Sequence, residues 1–316
     1  MSNLIFSLNV TMPIFLVMVI GWILKRAKML NENFVTVANR LNFNVTLPVL
    51  VFLDIAGLDI RTTFDASYVA FCAAASSISF FAIWALTRKF LKNSSMRGAF
   101  VQASFRSSAA VMGLAFIDNI YGSSAMGPLM IIGAVPLYNI FSVIVLSVES
   151  SEAAEIDLKK KVKDTLMAII CNPIIIAILL GILVSLLQLQ FPLIIDKTLE
   201  SIGRIATPLA LLAMGAGFKG SHAVQKIRPT LAAAGIKLVL QVLVFVPLAI
   251  LAGYTGEKLI AILIMLGAPA TPSCYIMAKN MGNDGELTAS IVVVTTLLAA
   301  FTLTGFIYLL RTFGYI

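Results

Sequence analysis

Charge is what this sequence most lacks: Asp, Glu, Lys and Arg make up 12% of its 316 residues, against 59% hydrophobic. No soluble domain of this length needs so much apolar surface. Histidine is nearly absent. His222 stands alone in a polar loop beside Lys219 and Lys226, where a solvated side chain is the simpler reading than a proton relay. The three cysteines, Cys72, Cys171 and Cys274, fall inside apolar segments without metal-ligand spacing, so neither a disulfide framework nor a metal site is indicated. Paired catalytic carboxylates and a nucleophile with its base are also missing, which points away from an enzyme and calls for no cofactor. The net charge of +8 does not mark a nucleic-acid partner, because Lys and Arg sit in short clusters between apolar runs and form no basic face interleaved with aromatics.

What the chain has instead is a series of apolar stretches of about 20 residues, the length that crosses a hydrocarbon core of roughly 30 Å. They predict an all-α polytopic membrane protein with the lipid bilayer as its solvent and about ten transmembrane helices, near 4–24, 34–57, 66–90, 97–120, 126–148, 164–187, 193–217, 228–252, 258–281 and 286–310. The first is expected to remain as a span, since Lys25, Arg26 and Lys28 follow its apolar run instead of preceding it. Alternate loops carry fifteen Lys and Arg against four on the opposite set, which predicts both termini outside and the 149–163 loop in the cytoplasm. That loop, acidic at Glu149, Glu152, Glu155 and Asp157 and then rich in lysine, reads as a solvated linker.

An ungapped shift of 160 residues superposes the punctuation of the two halves: Pro13 on Pro173, Gly21 on Gly181, Pro48 on Pro208, Gly57 on Gly217 and Gly122 on Gly282. The expected domains are a five-span repeat over 1–148, the 149–163 linker and a second repeat over 164–316. Five is odd, so the second repeat enters the membrane from the opposite side. Such inverted repeats place a site near the midplane, where broken crossover helices four and nine meet.

Span nine carries the break in its own letters, since Pro269 and Pro272 remove two backbone donors and Gly267 loosens the approach. Span four has no proline there. The repeat alone predicts its break, across Ser107, Ser108, Ala109, Ala110 and Gly113. Unwound backbone and half-helix N-termini favour an anion, and Thr271 and Ser273 flank the second break. Arg106 lies nine residues beyond Arg97, deep in the span, where its planar fork suits a carboxylate. Equally open is a structural role, capping helix carbonyls or pairing with an acid such as Asp54. Lys237 lies mid-span in segment eight as a second anion contact, a proton-coupled group or a lysine with an internal partner. Asn39 and Asn42 share a helix face and read as packing glue, and Thr295, Thr296, Thr302 and Thr304 as partners of backbone carbonyls.

The two halves, the central basic loop, I-A-T-P-L-A-L-L-A-M-G (205–215), G-A-P-A-T-P-S (267–273) and M-G-N-D-G-E-L-T-A-S-I-V-V-V-T-T-L-L-A (281–299) resemble the auxin efflux carrier family in its bacterial branch, over nearly the whole chain. The resemblance implies a secondary carrier of a small organic anion, a mono- or dicarboxylate such as malate or malonate, in a bacterial cytoplasmic membrane. It puts the crossover of spans four and nine at the site with Arg106 as the family's arginine; together with the breaks and buried cations read above, the candidate substrate contacts are Arg106, Ser107, Ser108, Ala109, Gly113, Gly267, Pro269, Thr271, Pro272, Ser273 and Lys237. The family's arginine is usually followed by two asparagines, where this sequence has Ser107 and Ser108. A sodium-coupled carrier of the bile-acid type and a transport-derived sensor or channel are the alternatives. Neither proton nor sodium is singled out as coupling ion, and a homodimer is left open.

Overall fold

The computed structural model describes residues 2–57, 65–109, 120, 126–150, 167, 170–218 and 225–316. Gly113, Asp118, Gly122, His222 and nearly all of the 149–163 loop lie outside them. Every regular element among the described residues is helical. In chain order they are α1 (Ser2–Arg26), α2 (Glu32–Ala56), α3 (Ala66–Phe90), α4 (Ser94–Phe105), α5 (Gly127–Val148), α6 (Pro173–Leu187), α7 (Leu193–Gly217), α8 (Ile227–Leu251), α9 (Gly256–Gly267), α10 (Pro272–Asn280) and α11 (Gly285–Thr312). Among the described residues six stretches are long and apolar enough to cross a membrane: Glu32–Ala56, Ala66–Phe90, Leu129–Val148, Ile227–Leu251, Gly256–Asn280 and Gly285–Thr312.

The helices start where short polar side chains can satisfy free amides. Asn31, Asp65, Asn93, Asn172 and Asp284 each accept a hydrogen bond from a first-turn N–H. Their outer faces are apolar: Leu179, Leu183 and Leu187 of α6 are all exposed, as are Leu243 and Leu251 of α8. In contrast, Arg106 and Lys237 are buried. Apolar outside and ionised inside is the distribution a bilayer selects.

Glycine sets the closest approaches. A Cβ on Gly21 would collide with the Leu212 carbonyl oxygen, and one on Gly215 with that of Met18, so α1 and α7 touch backbone to backbone. α2 and α6 meet in the same manner, with Gly181 set 3.1 Å from the Phe52 carbonyl and 3.0 Å from Ile55 Cβ, measured from the missing Cβ. Gly21 and Gly181 are 160 positions apart, and so are Phe52 and Leu212. Lengths agree as well: α3 and the α8 segment each span 25 residues, and α4 and α9 each span 12.

The centre belongs to α9, whose residues from Leu259 to Leu266 are at most 1% exposed. At one end of the bundle Glu149 closes α5, and for this residue the expectation of a solvated side chain is corrected. Its side chain is 2% exposed and accepts from Trp84 Nε1 (2.9 Å), Arg88 Nε (3.0 Å), Ser94 Oγ (2.9 Å) and Arg97 Nε (2.9 Å). Position next to a charged loop misled the sequence reading, because all four donors lie more than 50 residues away in the chain.

Candidate functional site

Two helices stop in the middle of the bundle. α9 ends at Gly267, and Ala268 (φ −69°, ψ 153°) and Thr271 (φ −79°, ψ 149°) are extended. Each precedes a proline, whose ring excludes the helical region for its predecessor. Pro272 then opens α10 at its first turn, where a missing N–H costs nothing. α4 ends at Phe105 with Arg106 extended (φ −74°, ψ 135°), although no proline is present. The two breaks touch: Ser108 donates its N–H to the Pro269 carbonyl at 2.9 Å. Ser107 Oγ lies 3.4 Å from the Ile264 carbonyl and 3.3 Å from that of Ala268, and the Ala270 N–H donates to Thr295 Oγ1 at 3.2 Å.

Interrupting a helix inside a membrane frees its last carbonyls, and each must find a donor. Those of α4 and α9 are taken by long side chains from α8 and α5. Gln241 Nε2 donates to the Ser104 carbonyl (2.7 Å), Tyr138 Oη to that of Met265 (3.0 Å), and Lys237 Nζ to those of Leu266 (2.7 Å) and Phe105 (3.4 Å). Lys237, weighed from the sequence as a second anion contact, is 0% exposed and does not line the cavity described next. Its internal partners are backbone carbonyls.

A cavity of about 90 Å³ opens beside the breaks. It is small against the roughly 300–1,000 Å³ typical of drug-sized ligands. Arg106, Ser107, Ser108, Thr271, Pro272 and Ser273 line it together with Asp54, Asn42, Tyr138, Asn139 and Thr207. Of the residues expected at the site, Ala109, Gly267 and Pro269 belong to the breaks but not to the cavity wall; Gly267 is a packing glycine, whose Cβ would stand 2.9 Å from Val242 Cγ2. Gly113 lies outside the described residues.

Arg106 is 6% exposed, and among the described residues its side chain makes one hydrogen bond, from Nη1 to the Met277 sulfur at 3.0 Å. A thioether is a weak acceptor and a guanidinium carries five N–H groups, so Arg106 remains a cation in want of acceptors. Among the described residues no ion pair engages it. Asp54, weighed from the sequence as its partner, lines the same cavity, where the two opposite charges act on each other without a direct contact. Across the cavity α10 begins without a side-chain cap, because Thr271 Oγ1 is bonded to Ser273 Oγ at 2.6 Å. A half-helix N-terminus left open favours negative charge.

Sequence reasoning missed Asn139, Tyr138 and Thr207. A lone Asn inside the apolar run of span five was a usable signal for the first, and its Oδ1 is buried without a partner among the described residues. The glue role of Asn42 holds, through Nδ2 to the Ala206 carbonyl at 2.7 Å. Among the described residues no cluster of three or more His, Cys, Asp or Glu could hold a metal ion.

Broken helices, buried cations and a lipid-facing apolar surface define an integral membrane protein with an internal polar site. The chain belongs to the membrane transport protein family, the auxin efflux carrier family, whose profile matches residues 6–307. It is also 25% identical over 146 residues to a Rhizobium meliloti (strain 1021) protein named as a candidate malonate transporter. That alignment spans 45% of this chain and 44% of the relative, so less than half of either protein is compared.

Proposed function

We propose that this membrane transporter is a secondary carrier that moves a small carboxylate by alternating access at the crossover of the two broken helices. Arg106 carries the reading: a guanidinium 6% exposed, lining a cavity, with a thioether for its hydrogen-bond partner. A buried arginine left this way is costly unless a ligand supplies the acceptors. A carboxylate offers two oxygens in the plane of the fork. Ser107, Ser108, Thr271 and Ser273 place hydroxyl groups around it, and the open end of α10 adds amide donors. The cavity volume favours a compact anion, and the name of the Rhizobium relative agrees with a short dicarboxylate.

The architecture proposed with it is ten spans in two inverted repeats, 1–148 and 164–316, with both termini outside. The paired glycine contacts at Gly21 and Gly181, the equal lengths of α4 and α9 and the fifteen-to-four cation bias support it.

Counterflow in proteoliposomes tests the function. Vesicles loaded with unlabelled malonate, malate or a monocarboxylate should accumulate the labelled partner transiently, and labelled neutral amides of the same acids should not accumulate. Absence of counterflow across the panel, with protein correctly inserted, would exclude a carboxylate carrier.

A further inference from the structure

We infer that Lys237 is a built-in counter-cation of the crossover: its ammonium stands where a broken-helix carrier would hold a free coupling cation, so no sodium ion binds there. The first observation is where Nζ sits. It donates to the Leu266 carbonyl at 2.7 Å and lies 3.4 Å from the Phe105 carbonyl, at the C-terminal ends of α9 and α4. Each helix end carries about half a negative charge, and the two ends converge in a bundle interior that water does not reach. Free half-helix carbonyls of this kind are the groups that coordinate coupling cations in carriers with discontinuous helices. One ammonium here bridges both.

The second observation is that α8 is shaped to deliver it. Between Ile236 and Leu240 the helix widens into a π turn, with the Gln241 N–H bonded back to the Ile236 carbonyl. Lys237 and Gln241 both reach the breaks from this turn, and Gln241 takes the Ser104 carbonyl. A π turn holds one extra residue at the expense of helix geometry, and such turns recur at functional positions.

Third, the neighbouring break carbonyls are already engaged by other donors. The Met265 carbonyl accepts from Tyr138, and those of Ile264 and Ala268 face the Ser107 hydroxyl. Among the described residues no carboxylate pairs with Lys237, so its counter-charge is the two helix ends themselves. Lys237 is a positioning residue that holds the breaks together, and it touches no part of the cavity.

The inference rests on the crossover reading above, but its test does not use the anion site. Thermal unfolding of the purified full chain in detergent is compared in sodium, potassium, n-propylammonium and choline chlorides at one ionic strength. The parent should melt at the same temperature in sodium as in choline. Lys237→Met, which fills the space without charge, should melt lower by about 5 °C or more and ignore every cation. Lys237→Ser, which opens the space and adds an oxygen, should melt lower in choline and recover at least half of that loss in sodium or n-propylammonium. A parent stabilised by sodium over choline overturns the inference, as does a Lys237→Met protein with parental stability. So does a Lys237→Ser protein blind to all four cations. Should neither variant fold, the parent's own response to sodium and choline still decides. Failure of carboxylate counterflow would leave these melting curves unaffected, so the two readings fail separately.

Discussion

Ser108 and Pro269, from opposite halves of the chain, are joined by a backbone hydrogen bond of 2.9 Å, and that bond ties the two helix breaks into one unit. Neither break stands alone. The N–H that Ser108 would have spent inside a helix is available because α4 has stopped at Phe105, and the Pro269 carbonyl can accept it because the proline ring forces Ala268 into extended backbone.

Replacing Pro269 and Pro272 together with alanine lifts both restrictions and restores two helical donors. Residues 268–271 should then continue α9 into α10, swinging the Pro269 carbonyl away from Ser108. Apolar length is unchanged, so the protein should insert at the parental level while counterflow falls at least tenfold. Parental flux at parental expression would remove the break in this span from the transport mechanism.

Much of this was legible in the letters. Prolines at 269 and 272 write the second break outright, whereas the first, at Arg106, has no local signal and could be read only through the 160-residue offset. Asp54 and Asn139 reach the cavity through the packing of α2 and α5, which no spacing along the chain encodes. Lys237 was legible as a buried cation but not as a cap, because its partners are carbonyls of other helices and backbone atoms leave no trace in residue identity. Glu149 was misread for the same reason, its donors being distant in sequence.

Glu149→Gln should lower stability by about 2 kcal/mol or more, since Arg88 and Arg97 lose their counter-charge and one acceptor oxygen becomes an NH2 facing donors in a site 2% exposed. Burial alone would raise this carboxyl's pKa, yet the hydrogen bonds from Trp84, Arg97, Arg88 and Ser94 together hold it below the ordinary glutamate value. A depressed folded-state pKa contributes stability that is complete above the unfolded value and is lost as pH falls through the folded one. The parent should therefore lose melting temperature on acidification below about pH 4.5, near the unfolded glutamate value, more steeply than the glutamine variant. Parallel pH profiles would show that folding does not lower the pKa of Glu149.

Gly215→Ala and Gly305→Ala make a matched pair in helices. A Cβ on Gly215 meets the Met18 backbone, which cannot rotate away, and Gly305 has nothing within 4 Å. The first should destabilise by about 1–3 kcal/mol through overpacking of α1 on α7. The second should be neutral or gain up to about 1 kcal/mol from better helix propensity. Equal melting temperatures for the two variants would show that α1 and α7 are not in backbone contact.

Arg106→Lys separates an anion contact from a structural arginine. Alanine cannot, because both roles predict loss when the cation is removed. The structure narrows the question: Arg106 touches one thioether and is joined to no acid among the described residues, so lysine forfeits little in the ligand-free protein. Towards a carboxylate the change matters more, since an ammonium presents a point charge where the guanidinium presents two parallel donors. Losing one charge-assisted bond costs about 1.5–3 kcal/mol, a rise of roughly ten- to a hundredfold in the carboxylate concentration needed for half-maximal effect. In a thermal-shift titration of purified protein with malonate, the variant should melt within about 2 °C of the parent without ligand and respond only at that higher concentration. A ligand-free protein strongly destabilised but unchanged in malonate affinity would assign Arg106 to the scaffold. The open end of α10 and the hydroxyls of Ser107 and Ser273 would then have to hold the anion.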